Sequence, residues 1–219
     1  MKLGRGEVLG LVFVVASFLL AIALYSRLPD PVPTHWNTSL KANGWTPKPW
    51  GALLPAIILA VSWVLFLVLP RISPRGFRFE GFGRTWQIIE AAILGALFLV
   101  TSVSLLAAAG ARIPVDRLIA AAIGLLLMIL GNFMGKLTRN FFVGIRTPWT
   151  IASEEVWLRT HQLGGKLFVL AGALLLIAGL AGFGLVAAFL AIGAAAIVSV
   201  VYSYVLYRKI EGFREHAGS

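Results

Sequence analysis

The sequence contains no cysteine and little charge. The lack of cysteine excludes disulfide bonds, thiol nucleophiles and thiolate metal sites. Only 13% of the 219 residues are charged, whereas 59% are hydrophobic. Soluble domains contain about 25% charged and about 45–50% apolar residues. Because a soluble chain of this composition would have too few polar side chains to cover its surface, the composition indicates an integral membrane protein.

Histidine is also scarce, with three residues in the chain. No two histidines stand four positions apart with a glutamate between them, as a helical zinc site would need, so we expect no metal and no cofactor. A net charge of +10 would favour nucleic acid as a partner of a soluble protein. Here the charges lie between apolar blocks, so we predict no direct nucleic-acid binding and interpret the charges as determinants of membrane topology.

The hydrophobic residues fall into six blocks, and a membrane-spanning helix needs about 20 such residues. We therefore predict an all-α polytopic membrane protein, with residues 1–219 forming a single membrane domain of six transmembrane helices. The predicted bounds of the helices are 8–25, 52–69, 88–109, 118–133, 167–181 and 185–207.

Two of these blocks have alternative interpretations. The first follows Lys2 and Arg5 and ends near Ala21-Ile22-Ala23, as a cleaved signal peptide would. It is long enough to span the bilayer, so we expect it to be retained. The last two blocks are separated only by Gly182-Phe183-Gly184 and form either a helical hairpin or one helix of about 40 residues. We favour the hairpin because two glycines allow a tight reversal.

The lysines and arginines in the short loops predict the orientation, because cytoplasmic loops carry the excess. With both termini cytoplasmic, the inner segments hold most of these residues. The inner set is Lys2, Arg5, Arg71, Arg75, Arg78, Arg84, Lys136, Arg139, Arg146, Arg159, Lys166, Arg208, Lys209 and Arg214. The outer set is Arg27, Lys41, Lys48, Arg112 and Arg117.

The proline-rich loop, residues 26–51, is the longest segment predicted outside. Pro29, Pro31 and Pro33 exclude a helix and favour extended structure, and Asn43-Gly44 is a strong turn pattern. The loop is either an exposed recognition surface or a stiff cap over the helix ends, in which His35 bonds a backbone carbonyl. The candidate outer binding residues are Pro33, His35, Trp36 and Asn37.

The motif segment, residues 132–166, is predicted inside and mixes aromatic with basic residues. Basic groups beside a membrane attract anionic lipid by about 1 kcal/mol each, although topology alone explains the charges equally well. Ser153 before Glu154 and Glu155 predicts a helix N-cap with acids in the first turn, and Thr150 is a competing cap. We therefore predict a short amphipathic helix in the inner loop before helix five. Its apolar stripe would be Trp149, Ala152, Val156 and Leu163.

Acidic residues offer a second interpretation of this region. Glu154, Glu155 and His161 would form either a catalytic site or a solvated helix face. Glu90 is the one acid inside an apolar block, where an ionisable group is a candidate functional residue. It lies near the inner end of its block and could instead pair with Arg84. The lack of a chain of acids across the membrane argues against a secondary transporter.

Two stretches of the sequence are similar to a known family. Residues 28–37, LPDPVPTHWN, resemble the outer loop of the SdpI family of bacterial membrane proteins. The segment from Gly131 to Lys166 contains NFFVGIRTPWT at 140–150 and SEEVW at 153–157, and it resembles that family's inner loop. With the last two helices the similarity covers about half of the chain. The outer loop departs from the family after Asn37, where members often carry an acid.

The resemblance implies a non-enzymatic protein of the bacterial plasma membrane that acts in toxin immunity or signal transduction. The implied partners are membrane lipids, a secreted peptide toxin outside and a DNA-binding repressor inside, and small residues in the last two helices would allow a homo-oligomer. The rival class is a membrane-embedded enzyme or transporter for a lipid or small solute, which a cavity cluster of Glu90, Glu154, Glu155 and His161 would favour. The candidate inner binding residues are Asn140, Phe142, Arg146, Trp149, Glu154, Glu155, Trp157 and His161.

Overall fold

The computed structural model describes residues 3–36, 42–73, 81–182 and 186–212. Within these residues six helices are long and apolar enough to cross a membrane, which confirms the predicted all-α membrane fold. The described chain also contains a two-stranded antiparallel sheet, a short helix at Pro148–Ala152 and one turn of 3-10 helix at Tyr25–Arg27. The elements are α1 (Arg5–Leu24), β1 (Val32–Trp36), β2 (Ala42–Thr46), α2 (Lys48–Val68), α3 (Gly83–Ala108), α4 (Val115–Met134), α5 (Pro148–Ala152), α6 (Glu154–Ala181) and α7 (Val186–Ile210).

The fifth spanning helix begins earlier than its apolar block. The short helix that precedes it is α5, whereas the residues from Glu154 onward are continuous with the membrane span. Ser153 separates the two helices in an extended conformation, and its side chain accepts the N–H of Val156 as the predicted N-cap. Thr150 caps no membrane helix but completes a capping box with Thr147 at the start of α5. The predicted amphipathic stretch is therefore divided between a five-residue helix and the first turns of α6.

The two ends of the helix bundle carry different segments. The motif segment lies at the same end as the last turn of α7, because Ser153 Oγ donates to Glu211 Oε1 at 2.7 Å. We call this end the motif face. The opposite end, the hairpin face, carries β1 and β2, and Lys48 Nζ there lies 5.0 Å above the Tyr25 ring. With six spans, both ends of the described chain lie at the motif face.

Helices α4 and α6 pack with their backbones in contact. A Cβ built on Gly131 would lie 2.6 Å from the Gly165 carbonyl oxygen, and one on Gly172 would lie 2.6 Å from the Gly124 carbonyl oxygen. The two contacts lie seven residues apart along each helix, so they are on the same face of α4 and on the same face of α6. Small residues allow this close approach between membrane helices.

The chain reverses between α6 and α7. Gly182 ends α6 with φ of 74°, a left-handed conformation that favours glycine. A Cβ built on Gly164 would lie 3.0 Å from Ser199 Oγ, whereas Leu175 packs in one cluster with Ala188, so the two helices run antiparallel. This is the predicted helical hairpin, although Phe183 and Gly184 lie outside the described residues.

Candidate functional site

Asn140 organises the first turn of the motif segment. Its side chain is fully buried. Oδ1 accepts the N–H groups of Phe142 and Val143, both at 2.8 Å, and Nδ2 donates to the Thr138 carbonyl at 2.9 Å. An asparagine side chain that bonds the backbone two and three residues on replaces a backbone turn. Asn140 therefore shapes the loop, and Phe142 lies beside it half-buried.

His161 fastens the middle of the motif segment to α6. Its Nδ1 donates to the Trp157 carbonyl at 2.7 Å, and its Nε2 accepts the N–H of Ile145 at 2.9 Å. These two partners require the neutral ring with its proton on Nδ1. The ring is fully buried and stacks on Trp157 at 4.0 Å between centroids. Both ring nitrogens of His161 are therefore used by the backbone, and neither is available to a ligand.

Gly144 passes directly over the His161 ring. It has φ of 114°, which L side chains rarely adopt, and a Cβ there would collide with His161 Nε2. Trp157, on which the His161 ring stacks, is itself held in place. It is 2% exposed, and its Nε1 donates to the Leu137 carbonyl at 2.7 Å.

The end of the motif segment is attached to α7. Thr147 Oγ1 lies 3.0 Å from Ser203 Oγ, and both side chains are buried. Trp149, which is half-buried, meets Tyr204 edge to face with 5.0 Å between ring centroids. The loop is thus held between α6 and α7 by buried polar and aromatic contacts.

Three of the predicted inner residues are on the surface. Arg146 is exposed, and its Nη1 donates to the Phe141 carbonyl. Glu154 is 84% exposed at 3.9 Å from Arg139, and Glu155 is 48% exposed and pairs with Arg159 at 2.6 Å. Exposed pairs of this kind stabilise a protein by about 0–1 kcal/mol. These charges remain accessible to a partner at the motif face.

The rival cluster does not form one cavity. Glu90 and His161 are fully buried, whereas Glu154 and Glu155 face outward. The carboxyl oxygens of Glu90 have no hydrogen-bond partner among the residues that the structure describes. In that same part of the chain, no group of three or more His, Asp or Glu side chains is placed to hold a metal ion.

At the hairpin face, β1 and β2 form an irregular pair. Val32 pairs with Thr46, Pro33 with Trp45 and His35 with Gly44, which leaves Thr34 as an extra residue on β1. Such a bulge redirects side chains locally. His35 is exposed, and its Nδ1 lies 2.5 Å from Asn43 Oδ1, so its partner is a side chain and not a backbone carbonyl. Trp36 ends β1, and Asn37 lies outside the described residues.

A groove of about 400 Å³ lies between β1 and helices α2, α3 and α4. Its walls are mainly apolar, and Thr34 and His35 add polar groups at the edge nearest the hairpin. Two hydroxyls, those of Thr101 and Ser104, lie along its α3 wall. The sequence interpretation did not include this groove, although two hydroxyls three residues apart in an apolar helix mark the wall. The other apolar residues that line it include Leu54, Ile58, Val100 and Ile119.

Comparison with known proteins finds similarities at both faces. The SdpI/YfhL protein family matches residues 136–203. The immunity protein SdpI of Bacillus subtilis (strain 168) is 25% identical over 212 residues, which cover 96% of this chain and all of that protein. The motif segment, α6 and most of α7 are thus similar to the SdpI family, and nearly the whole chain is similar to SdpI itself. A domain of unknown function (DUF1648) matches residues 12–60, and no solved structure gives a match.

The region that matches the SdpI family contains the buried network around His161 as well as α6 and most of α7. The second match contains most of α1, the proline-rich loop and the first half of α2. The multi-pass fold and the similarity to SdpI together support a membrane immunity function.

Proposed function

We propose that this protein protects its host in the bacterial plasma membrane by binding a secreted membrane-active peptide, without catalysis. The groove beside β1 carries this proposal, because its apolar walls continue into membrane helices while Thr34 and His35 place polar groups at one edge. A membrane-active peptide has apolar segments and also contacts the headgroup region, so it matches both parts of the groove. The exposed Trp45 and Trp50 suit the membrane–water boundary at the same face.

The groove is tested by filling it. Ser104→Phe places a ring in the groove, and Val61→Phe places the same ring on the exposed side of α2, outside the groove. Each variant is produced in a deletion strain, which is then exposed to the secreted peptide fraction of its own culture. We expect Ser104→Phe to lower the inhibitory concentration roughly tenfold, as a loss of about 1.4 kcal/mol would do, and Val61→Phe to protect normally.

Two outcomes would count against this assignment. If the deletion strain is no more sensitive than its parent, the immunity function itself is wrong. If Ser104→Phe reaches the membrane at normal levels and protects fully, immunity does not depend on the groove.

The orientation that this function requires follows from the distribution of basic residues, which is expected to place the hairpin face outside. The chain lacks cysteine, so single cysteines can be introduced without a background. An impermeant thiol reagent applied to intact cells should label Lys41→Cys and leave Arg146→Cys unlabelled. The opposite labelling pattern would place the hairpin face in the cytoplasm and remove it as a site for a secreted peptide.

We further propose that the motif face binds a cytosolic partner such as a DNA-binding repressor. Arg146, Glu154 and Glu155 support this second activity. Arg146 is exposed on a loop that buried contacts hold in place, and the two glutamates are exposed on the first turn of α6. Arg146 would form a bidentate pair with a carboxylate of the partner. The alternative of a membrane enzyme or transporter has less support, because the groups that would serve it do not share a cavity.

A further inference from the structure

A second groove, of about 440 Å³, lies between α4 and α6 at the motif face. Three of its lining residues are the glycines Gly131, Gly135 and Gly165, so the helix backbones form much of its floor. The close contact between Gly131 and Gly165 leaves no side chain to fill this space. The groove therefore results from the same small residues that bring the two helices together.

The polar side chains around this groove are hydrogen-bond donors, as an anion-binding site requires. Asn132, Gln162 and Lys166 line it and are exposed, and none has a hydrogen-bond partner among the described residues. His161 also lines it, but the backbone uses both of its ring nitrogens. No lining residue carries a carboxylate. One ammonium and two amide groups without a competing acid suit an anionic oxygen ligand.

The groove lies at the edge of the apolar part of α6. Val169 lines its apolar end, and Leu170 and Ile177 continue along the exposed side of α6 from Lys166 with 60% and 62% exposure. An acyl chain lying against these two side chains would place its headgroup beside Lys166. Lys136 flanks the site from the end of α4, where its Nζ lies 4.5 Å from the centre of the Phe133 ring.

We propose that this groove binds the phosphate headgroup of an anionic phospholipid. Lys166 provides the charge, Asn132 and Gln162 donate to the phosphate oxygens, and the exposed apolar side chains of α6 contact the acyl chain. A free phosphate ion would have the same polar contacts but would gain nothing from the apolar face. This binding is independent of the proposed immunity function.

The test uses the full-length protein in a zwitterionic detergent and native mass spectrometry. The probes are phosphatidylglycerol and phosphatidylcholine with identical acyl chains. We expect preferential binding of phosphatidylglycerol and about a fivefold weakening by Lys166→Gln, since a basic group near the membrane surface contributes about 1 kcal/mol. The matched control is Lys209→Gln, which removes the same charge at the same face but outside the groove. It should bind phosphatidylglycerol normally.

A third variant separates a site from diffuse attraction. Gln162→Leu leaves the net charge unchanged, and we expect it to weaken phosphatidylglycerol binding while phosphatidylcholine binding stays the same. Equal losses in Lys166→Gln and Lys209→Gln, or equal affinity for the two lipids, would overturn the proposal. Displacement of phosphatidylglycerol by millimolar inorganic phosphate would assign the groove to free phosphate instead.

Discussion

The proline-rich loop and the motif segment have similar compositions and different structures. Each carries proline, tryptophan and one histidine. His161 in the motif segment is fully buried with both nitrogens bonded to backbone, whereas His35 in the proline-rich loop is exposed and bonded to one side chain. The histidine that marks the motif in the sequence therefore holds the loop together. The groups of the motif segment that a partner can reach are the charged side chains around it.

The largest expected effect concerns Gly144. Gly144→Ala introduces a Cβ at positive φ and also drives it into His161, whereas Gly110→Ala has a comparable φ of 89° with no atom within 4 Å. We expect Gly110→Ala to lower the free energy of unfolding by about 1–2 kcal/mol. Gly144→Ala should lower it by roughly 1–3 kcal/mol more, because of the overpacking.

Unfolding by titration with sodium dodecyl sulfate measures both variants. Equal losses in the free energy of unfolding would mean that the loop moves away from His161 without destabilising the protein. The motif segment would then not be a rigid scaffold.

The two histidines give the intermediate effect. His161→Phe keeps a ring against Trp157 but leaves the Ile145 N–H without an acceptor, so we expect a loss of about 1–3 kcal/mol in the free energy of unfolding. His35→Phe at the exposed position should change it by less than about 0.5 kcal/mol. The same unfolding measurement applies, and a result in which His35→Phe is the more damaging variant would reverse the assignment of scaffold and surface.

The surface charges of the motif face should affect stability least. Arg146→Lys and Glu155→Gln should change the free energy of unfolding by less than about 0.5 kcal/mol, because both side chains are exposed. Membrane level and peptide resistance should hold, while recruitment of the cytosolic partner falls, since lysine cannot copy a bidentate pair.

Fluorescence microscopy of a tagged partner at the membrane measures this recruitment. If recruitment, resistance and protein level fall together, these residues are structural and the two faces do not act separately.

The six spanning helices were predictable because long apolar blocks have few structural alternatives. Local chemistry also predicted the Ser153 N-cap, which the structure contains. The early start of α6 was not predicted, since Glu154 and Glu155 face outward while Val156 and Trp157 on the next positions are buried. A helix with one polar side continues beyond the point at which its mean hydropathy falls.

The sites were less predictable than the helices. The groove at the hairpin face joins β1 to residues near Thr101 and Ile119, which are far apart in sequence. The role of His161 depends on Ile145, sixteen residues earlier, and hence on a loop conformation that no local pattern specifies. In both places the candidate residues can be seen in the sequence, but the three-dimensional packing determines which of them can contact a ligand.

The glycine contact between α4 and α6 has a mechanical consequence. Backbone meets backbone at Gly124 with Gly172 and at Gly131 with Gly165, so no layer of rotatable side chains separates the helices there. Close packing of this kind transmits strain and does not absorb it. We therefore expect α4 and α6 to move as one rigid unit, with its Gly179 end toward the hairpin face and its Gly165 end toward the motif face. A tilt of this helix pair at one surface of the membrane should therefore displace its other end at the opposite surface.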